Sequence, residues 1–175
     1  MSKKLTPIFN KVTEVDLIYR NKQRPSERPR IINSKSAHDL FLESWNKDKI
    51  ELQEQFKVML LDRNNSCLGI SHVSTGGVSA CVVDPKIIFA TALKAGASAI
   101  ILAHNHPSGN LKPSNADRDI TGRLCFAGGV LEIPVLDHII ITNEGYLSFA
   151  DDGLLPEAKG KVSTWEQLLS PLSPS

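Results

Sequence analysis

The chain has 175 residues, of which 41% are hydrophobic and 22% charged, a composition that suits a folded globular protein and argues against disorder. At roughly 100–200 residues per domain, one domain with extensions is expected. The net charge of +1 conceals a gradient, because residues 1–50 hold eleven Lys and Arg against six Asp and Glu while the remainder is net negative.

The amino terminus carries lysines without an apolar segment behind them, so it does not read as a secretory signal, and a cytoplasmic location is the expectation. Residues 12–18 are a strand candidate. Residues 19–32 (YRNKQRPSERPRII) contain two prolines and no apolar periodicity and read as a linker or mobile loop. With that linker, residues 1–50 are expected to form a basic extension ahead of the main domain at 51–155, and residues 156–175 to form a tail. Ser36 is the expected cap of a helix that runs to Trp45, since Leu40, Phe41 and Trp45 recur at helical spacing.

From Glu54 the pattern changes to period two. Phe56, Val58 and Leu60 share one face of a strand that ends at the turn signal Asp62-Arg63-Asn64-Asn65. Residues 68–73 and 78–83 are further strand candidates, with Ser74-Thr75-Gly76-Gly77 as a hairpin between them. Pro85 suits the first turn of a helix to Ala95 that places Ile88, Ala92 and Ala95 inward and stops at Gly96. Residues 98–104 form a near-continuous apolar run, as in a central strand buried on both faces. A polar loop, 105–113, leads to a helix opened by Ser114 and ended by Gly128-Gly129. Residues 135–142 and 146–149 are strands around the turn Asn143-Glu144-Gly145. A short helix around 165–169 is expected in the tail, followed by a frayed end. The longest apolar runs, such as residues 99–103, fall far short of the roughly 20 residues that cross a bilayer. Cys67, Cys81 and Cys125 are odd in number, widely spaced and set in apolar segments, as reduced core cysteines are.

The chemistry concentrates in residues 103–119, AHNHPSGNLKPSNADRD. Alternate strand residues point to one face, so His104 and His106 converge if the extended conformation continues through Asn105. The Pro107-Ser108-Gly109 turn brings the chain back, and Asp117 falls in the first turn of the next helix, where its carboxylate can complete a three-ligand site. Two neutral imidazoles and one carboxylate would hold one zinc ion with a fourth position open, which is the arrangement of a catalytic site. Water in that position becomes acidic enough to serve as a nucleophile near neutral pH. Glu54 is the candidate base: it has the parity of Phe56, Val58 and Leu60, and a carboxylate there needs a reason. For Glu54, at the start of its strand, to meet His104, at the end of another, neighbouring strands must run antiparallel, so the sheet should be mixed. Ser114 offers a hydroxyl that can stabilise an oxyanion.

His104-Asn105-His106, seven residues, Ser114, two residues and Asp117, with Glu54 upstream, resembles the metalloprotease signature H-x-H-x7-S-x2-D of the JAB/MPN (JAMM) superfamily. Its bacterial RadC branch is the nearer likeness, through EQFKVMLLD, VSTGGVSA, AIILAHNHPSGNLKPSNADRDIT, VLDHIII and GYLSFADDG in residues 54–153. The resemblance implies a cytidine-deaminase-like α/β fold, a mixed and largely antiparallel sheet flanked by helices, with 51–155 as the catalytic domain. It further implies zinc on His104, His106 and Asp117, Glu54 as general acid and base, and Ser114 assisting. RadC proteins typically begin with a helix-hairpin-helix module, and nothing in residues 1–50 resembles its glycine-containing hairpins; the chain is similar to short RadC-like proteins with a basic extension.

Plainer readings stand beside these. Ser114-Asn115-Ala116-Asp117 is also a variant of the helix-capping box, though a cap does not explain two histidines at the end of an apolar strand. His138, which follows Asp137, suits either a hydrogen-bonded core position or a supporting role behind a metal. His38 and His72 read as structural, and Arg118 and Arg123 as either cleft-lining or solvated. The expected function is zinc-dependent hydrolysis of a peptide or isopeptide amide, with a protein or peptide as substrate. The alternative is a DNA-repair accessory whose Lys22, Arg24, Arg28 and Arg30 contact phosphates. Nucleobase deamination ranks last, because the H-x-E and P-C-x-x-C signature is absent.

Overall fold

Helix and strand boundaries follow from which side chains satisfy the chain ends. The computed structural model describes residues 24–76 and 83–156. Helix α1, Ser34–Ser44, is opened by Asn33, whose side-chain oxygen accepts the Ser36 N–H at 2.8 Å, while Ser36 Oγ accepts the N–H of Asn33 at 3.2 Å. The cap is therefore Asn33 and not Ser36, which closes the reciprocal box from inside the helix. Strand β1, Gln55–Leu61, and strand β2, Cys67–Thr75, are joined by a turn in which Asp62 Oδ1 accepts the N–H groups of Asn64 and Ser66, each at 2.9 Å. Helix α2, Pro85–Ala95, begins after the capping carboxylate of Asp84 and ends at Gly96, whose φ of 65° is the left-handed stop expected from sequence. Strand β3, Ala99–Asn105, helix α3, Asn115–Val130, strand β4, Val135–Ile141, and strand β5, Tyr146–Ser148, complete the order.

The five strands form one sheet in the order β2-β1-β3-β4-β5. β1 lies antiparallel to both β2 and β3, β3 parallel to β4, and β4 antiparallel to β5, so the sheet is mixed and mostly antiparallel as expected. β1 and β3 are buried at every residue. The alternation at Phe56, Val58 and Leu60 thus marks one of two covered faces. Those residues pack with Ile88, Phe89, Ala92, Ile100, Leu102 and Leu124 beneath α2 and α3. Met59, Leu61, Ile101, Ala103, Ile139 and Ile141 face the other way, toward Phe41 and Trp45 of the α1 region. Three layers result, with β3 at the centre.

Several sequence-based boundaries move. β2 continues through Ser74 and Thr75, which pair with Phe56 and Gln55 and so belong to the strand and not to the expected hairpin turn, whose Gly77 lies outside the described residues. The strand candidates at 12–18 and 78–83 and the tail helix lie outside the described residues, apart from Val83, which precedes α2 without regular structure. Residues 24–32 are docked rather than free. Arg30 bridges to Ser66, the Ile31 N–H reaches Asn65 O at 2.8 Å, and the Cys67 N–H reaches Pro29 O at 2.8 Å. Among the described residues Ile31 is the first in the buried core, with α1 and the sheet. The backbone contacts are made with residues 65–67, a turn far along the chain, and leave no local periodicity to read. His38, expected on a surface helix, is 8% exposed and stacks on Tyr146 at 4.4 Å. Cys67 and Cys125 are buried free thiols, as expected, and Cys81 lies outside the described residues. No helix among the described residues is long and apolar enough to cross a membrane.

Gly128 and Gly129 do not end α3; both lie within it, and the chain turns afterwards at Glu132, with φ 56°. Gly128 is required for a different reason. A Cβ there would stand 2.5 Å from the carbonyl oxygen of Ile133, whose N–H bonds back to Gly128 O at 2.8 Å. A Cβ on Gly129 meets nothing within 4 Å. Gly128→Ala is expected to lose about 2 kcal/mol through forced backbone displacement, whereas Gly129→Ala is neutral or gains up to about 1 kcal/mol from helix propensity. Urea unfolding of the two variants checks the contrast.

Candidate metal centre

The site forms where β3 ends. The extended backbone persists through Asn105, as convergence of the two histidines requires, and the His106 N–H continues the sheet by bonding Ile141 O at 3.0 Å. His104, on the α2/α3 face, is 1% exposed and His106 is half-buried. Their Nε2 atoms approach to 2.9 Å. From the first turn of α3, Asp117 sets Oδ1 3.2 Å from His104 Nε2 and Oδ2 3.6 Å from His106 Nε2. One donor atom from each of the three residues lies within 4.8 Å of the others, so this cluster can hold a metal ion.

The donor set fits a divalent ion. His106 Nδ1 contacts the carbonyl oxygen of Asn110, which can only accept, so the ring must carry a proton on Nδ1 and turn its other nitrogen to the centre. With lone pairs on both Nε2 atoms, the two imidazoles and the carboxylate at these separations repel unless a cation or a proton lies among them. A tetrahedral ion with bonds of about 2.0–2.1 Å sets its ligand atoms about 3.3 Å apart, close to the spacings found.

The surroundings aim each donor. Ser114 caps α3, and its hydroxyl and N–H both donate to Asp117 Oδ2 at 2.7 Å, while the Asp117 N–H returns to Ser114 Oγ at 3.1 Å. The capping box and the metal cluster coexist, because the cap holds one carboxylate oxygen and leaves the other facing His104. The Ser114 hydroxyl proton is thereby engaged with Asp117. Burial would raise the Asp117 carboxyl, but the imidazoles of His104 and His106 and the Ser114 hydroxyl beside it outweigh that and hold the group ionised far below the usual carboxylate range. For His106, burial opposes protonation, yet Asp117, the Asn110 carbonyl and the charge of Glu54 together raise its pKa.

Glu54 is half-buried and just precedes β1. Phe56 pairs with His104 in the antiparallel register, so the same register continued by two residues sets Glu54 opposite His106. Asn105, which the sequence reading passed over, fixes this approach. Fully buried between the two histidines, it accepts the Gln55 N–H at 2.8 Å and donates to Gln53 O at 3.0 Å and Ile50 O at 2.6 Å. Its carboxamide therefore grips the chain on both sides of Glu54. A buried asparagine between two histidines is the available sequence signal, since strand alternation turns it to the opposite face.

His138 is fully buried, against Phe149 at 4.9 Å and Phe56 at 5.5 Å between ring centroids. Its Nε2 lies 2.8 Å from His104 Nδ1 and its Nδ1 2.6 Å from Thr121 Oγ1. Burial holds it neutral, well below the ordinary histidine pKa. Of its two readings from sequence, the structure places it directly behind a candidate ligand. The remaining candidates lie elsewhere: Arg118 and Arg123 are exposed, and exposed His72 bonds Thr75 Oγ1 at 2.8 Å. Arg28 reaches Asp62 at 3.6 Å and Arg30 donates to Asn64 O at 3.2 Å, so these two engage the β1–β2 turn, while Lys22 lies outside the described residues.

Affinity for a divalent ion is expected to weaken as pH falls through the raised His106 pKa, because the competing proton must leave Nε2, while Asp117 stays ionised. About one proton should be released per ion bound below that pKa, measurable by calorimetry in buffers of different ionisation enthalpy. Asn105→Ala strands one N–H and two carbonyls, and a loss of about 3 kcal/mol is expected in urea unfolding.

Comparison with known proteins agrees with this geometry. The model of the RadC-like JAB domain family matches residues 31–154. A UPF0758 protein of Symbiobacterium thermophilum is 49% identical over 102 residues, covering 58% of this chain and 44% of that protein. A UPF0758 protein of Flavobacterium johnsoniae is 43% identical over 101 residues, covering 58% of this chain and 44% of its own length. One from Syntrophotalea carbinolica is 41% identical over 136 residues, covering 78% and 58%. The chain spans about half the length of the curated relatives it matches. By the extent of the family match and the three-layer fold that carries the His-His-Asp cluster, the chain belongs to the RadC-like JAB domain family.

Proposed function

We propose that this protein is a zinc-dependent hydrolase of the JAMM type that cleaves a peptide or isopeptide amide in a protein or peptide substrate in the cytoplasm. The observation that carries this reading is the convergence of His104 Nε2, His106 Nε2 and Asp117 Oδ1 around one point, with a carboxylate base across the strand pair. Three protein donors leave a fourth position open, the mark of a catalytic site. Zinc bound there supplies a Lewis acid that polarises a carbonyl and lowers the pKa of water.

The chain's own groups do the rest. Asp117, kept ionised, offsets part of the ion's charge, and Ser114 holds its carboxylate in one orientation. Glu54 receives the proton of the attacking water and returns it to the departing nitrogen, as a general base and then a general acid. Asn105 keeps Glu54 in reach by bonding the residues on either side of it. In this arrangement Ser114 acts on the ligand Asp117, since its proton is already donated there, and an oxyanion role would require that bond to break.

The test is metal content together with cleavage of a mixed peptide library and isopeptide-linked conjugates, followed by mass spectrometry. Wild type and Glu54→Gln should both retain zinc, and the substitution should reduce cleavage by about 10²–10⁴-fold. A wild-type protein that takes up no zinc, or a Glu54→Gln protein that cleaves as well as wild type, overturns the proposal.

A further inference from the structure

We infer that Thr121 and His138 are positioning residues that set the tautomer of His104, and so decide whether its Nε2 presents a lone pair or a proton to the metal point. The direction of the chain of bonds follows from donor and acceptor capacity. Thr121 lies one helical turn beyond Asp117, and its Oγ1 is in close contact with the Asp117 main-chain carbonyl oxygen. A carbonyl only accepts, so the single hydroxyl proton of Thr121 must lie in that bond.

The hydroxyl is then left with lone pairs toward His138 Nδ1, 2.6 Å away, and His138 must carry its proton on Nδ1. A neutral imidazole holds one N–H, so His138 Nε2 is an acceptor. It lies 2.8 Å from His104 Nδ1, which must therefore be protonated and donate. In the neutral ring His104 Nε2 then keeps its lone pair and faces the centre, 2.9 Å from His106 Nε2 and 3.2 Å from Asp117 Oδ1.

Reversal of one bond would reverse the rest. If Thr121 could not accept, the buried His138 would move its proton to Nε2 and donate to His104 Nδ1, and His104 would then carry its proton on Nε2, where a metal must bind. The dry packing of Phe56 and Phe149 against His138 denies it a water that could substitute for Thr121. The chain also closes on itself. It begins at the main chain of Asp117 and ends at a nitrogen beside the Asp117 side chain, so one turn of α3 aligns a carboxylate and an imidazole together.

The inference rests on the metal reading of the cluster and not on hydrolysis. Its test uses the full chain labelled with ¹⁵N-histidine, in the metal-free state, with long-range ¹H–¹⁵N correlation spectra to locate each ring proton. Thr121→Val removes the hydroxyl at nearly constant volume, and Thr121→Ser keeps it. Wild type and Thr121→Ser should show His104 protonated on Nδ1 alone, and Thr121→Val should move that proton to Nε2. Zinc affinity by chelator competition should fall about 10–100-fold in Thr121→Val and stay within a few-fold of wild type in Thr121→Ser. His138→Phe, which keeps a ring in the stack and removes both nitrogens, should weaken zinc by a similar factor. A wild-type His104 protonated on Nε2 would overturn the inference even if the variants failed to fold. So would a folded Thr121→Val protein with unchanged tautomer and affinity. A wild type that binds zinc and shows the stated tautomers but cleaves no amide counts against the hydrolase reading alone.

Discussion

Two imidazole nitrogens 2.9 Å apart and a carboxylate held ionised beside them form a donor cluster that can hold a metal ion. The rest of the structure serves that cluster. β3 is the central strand, paired on both edges and covered on both faces, so the residue at its end is fixed by neighbours on every side. The parallel partner β4 brings His138 behind His104, and the antiparallel partner β1 brings its first residues, and Glu54 before them, to the same end. A sheet wholly parallel around β3 would have put the start of β1 at the far end of the molecule.

Local structure and site chemistry use the same bonds. The capping box of α3 satisfies backbone donors that any helix start leaves free, and in doing so it immobilises the carboxylate of Asp117. Asn105 satisfies three polar groups of the segment before β1 and, by the same bonds, sets where Glu54 stands. Thr121 bonds back to the carbonyl four residues earlier, a common habit of helical threonine, and here the habit orders the protons of two histidines. Interactions that look like ordinary stabilisation are also what holds the donors within tenths of an ångström.

Legibility in the sequence tracked the range of the interactions involved. The ends of α2 could be read because proline and glycine act within a turn, and β3 because the apolar run at residues 99–103 has few alternatives. Gly128-Gly129 misled for the same reason. Glycine commonly stops a helix, but Gly128 is there to let Ile133 approach, a contact that only the folded chain creates. Residues 24–32 gave no periodic signal because their partners, Asn65, Ser66 and Cys67, lie on a distant turn. Asn105 and Thr121 were passed over since neither residue type is a ligand or a base; their significance is in what they bond.

The sequence by itself determined the donor set. Two histidines at strand spacing, a serine and an aspartate at helix-cap spacing and a glutamate upstream of an alternating strand are local patterns, and local geometry suffices to predict that they converge. It also pointed to the antiparallel relation of β1 and β3, because Glu54 ahead of one strand and His104 at the end of another come together across neighbouring strands only in that way. The tertiary structure alone decided which side chains stand behind those donors. Direction in a chain of hydrogen bonds depends on atoms within 3 Å contributed by three separate elements, and nothing in their spacing along the chain, seventeen residues from Thr121 to His138 and thirty-four from His104 to His138, records that they touch.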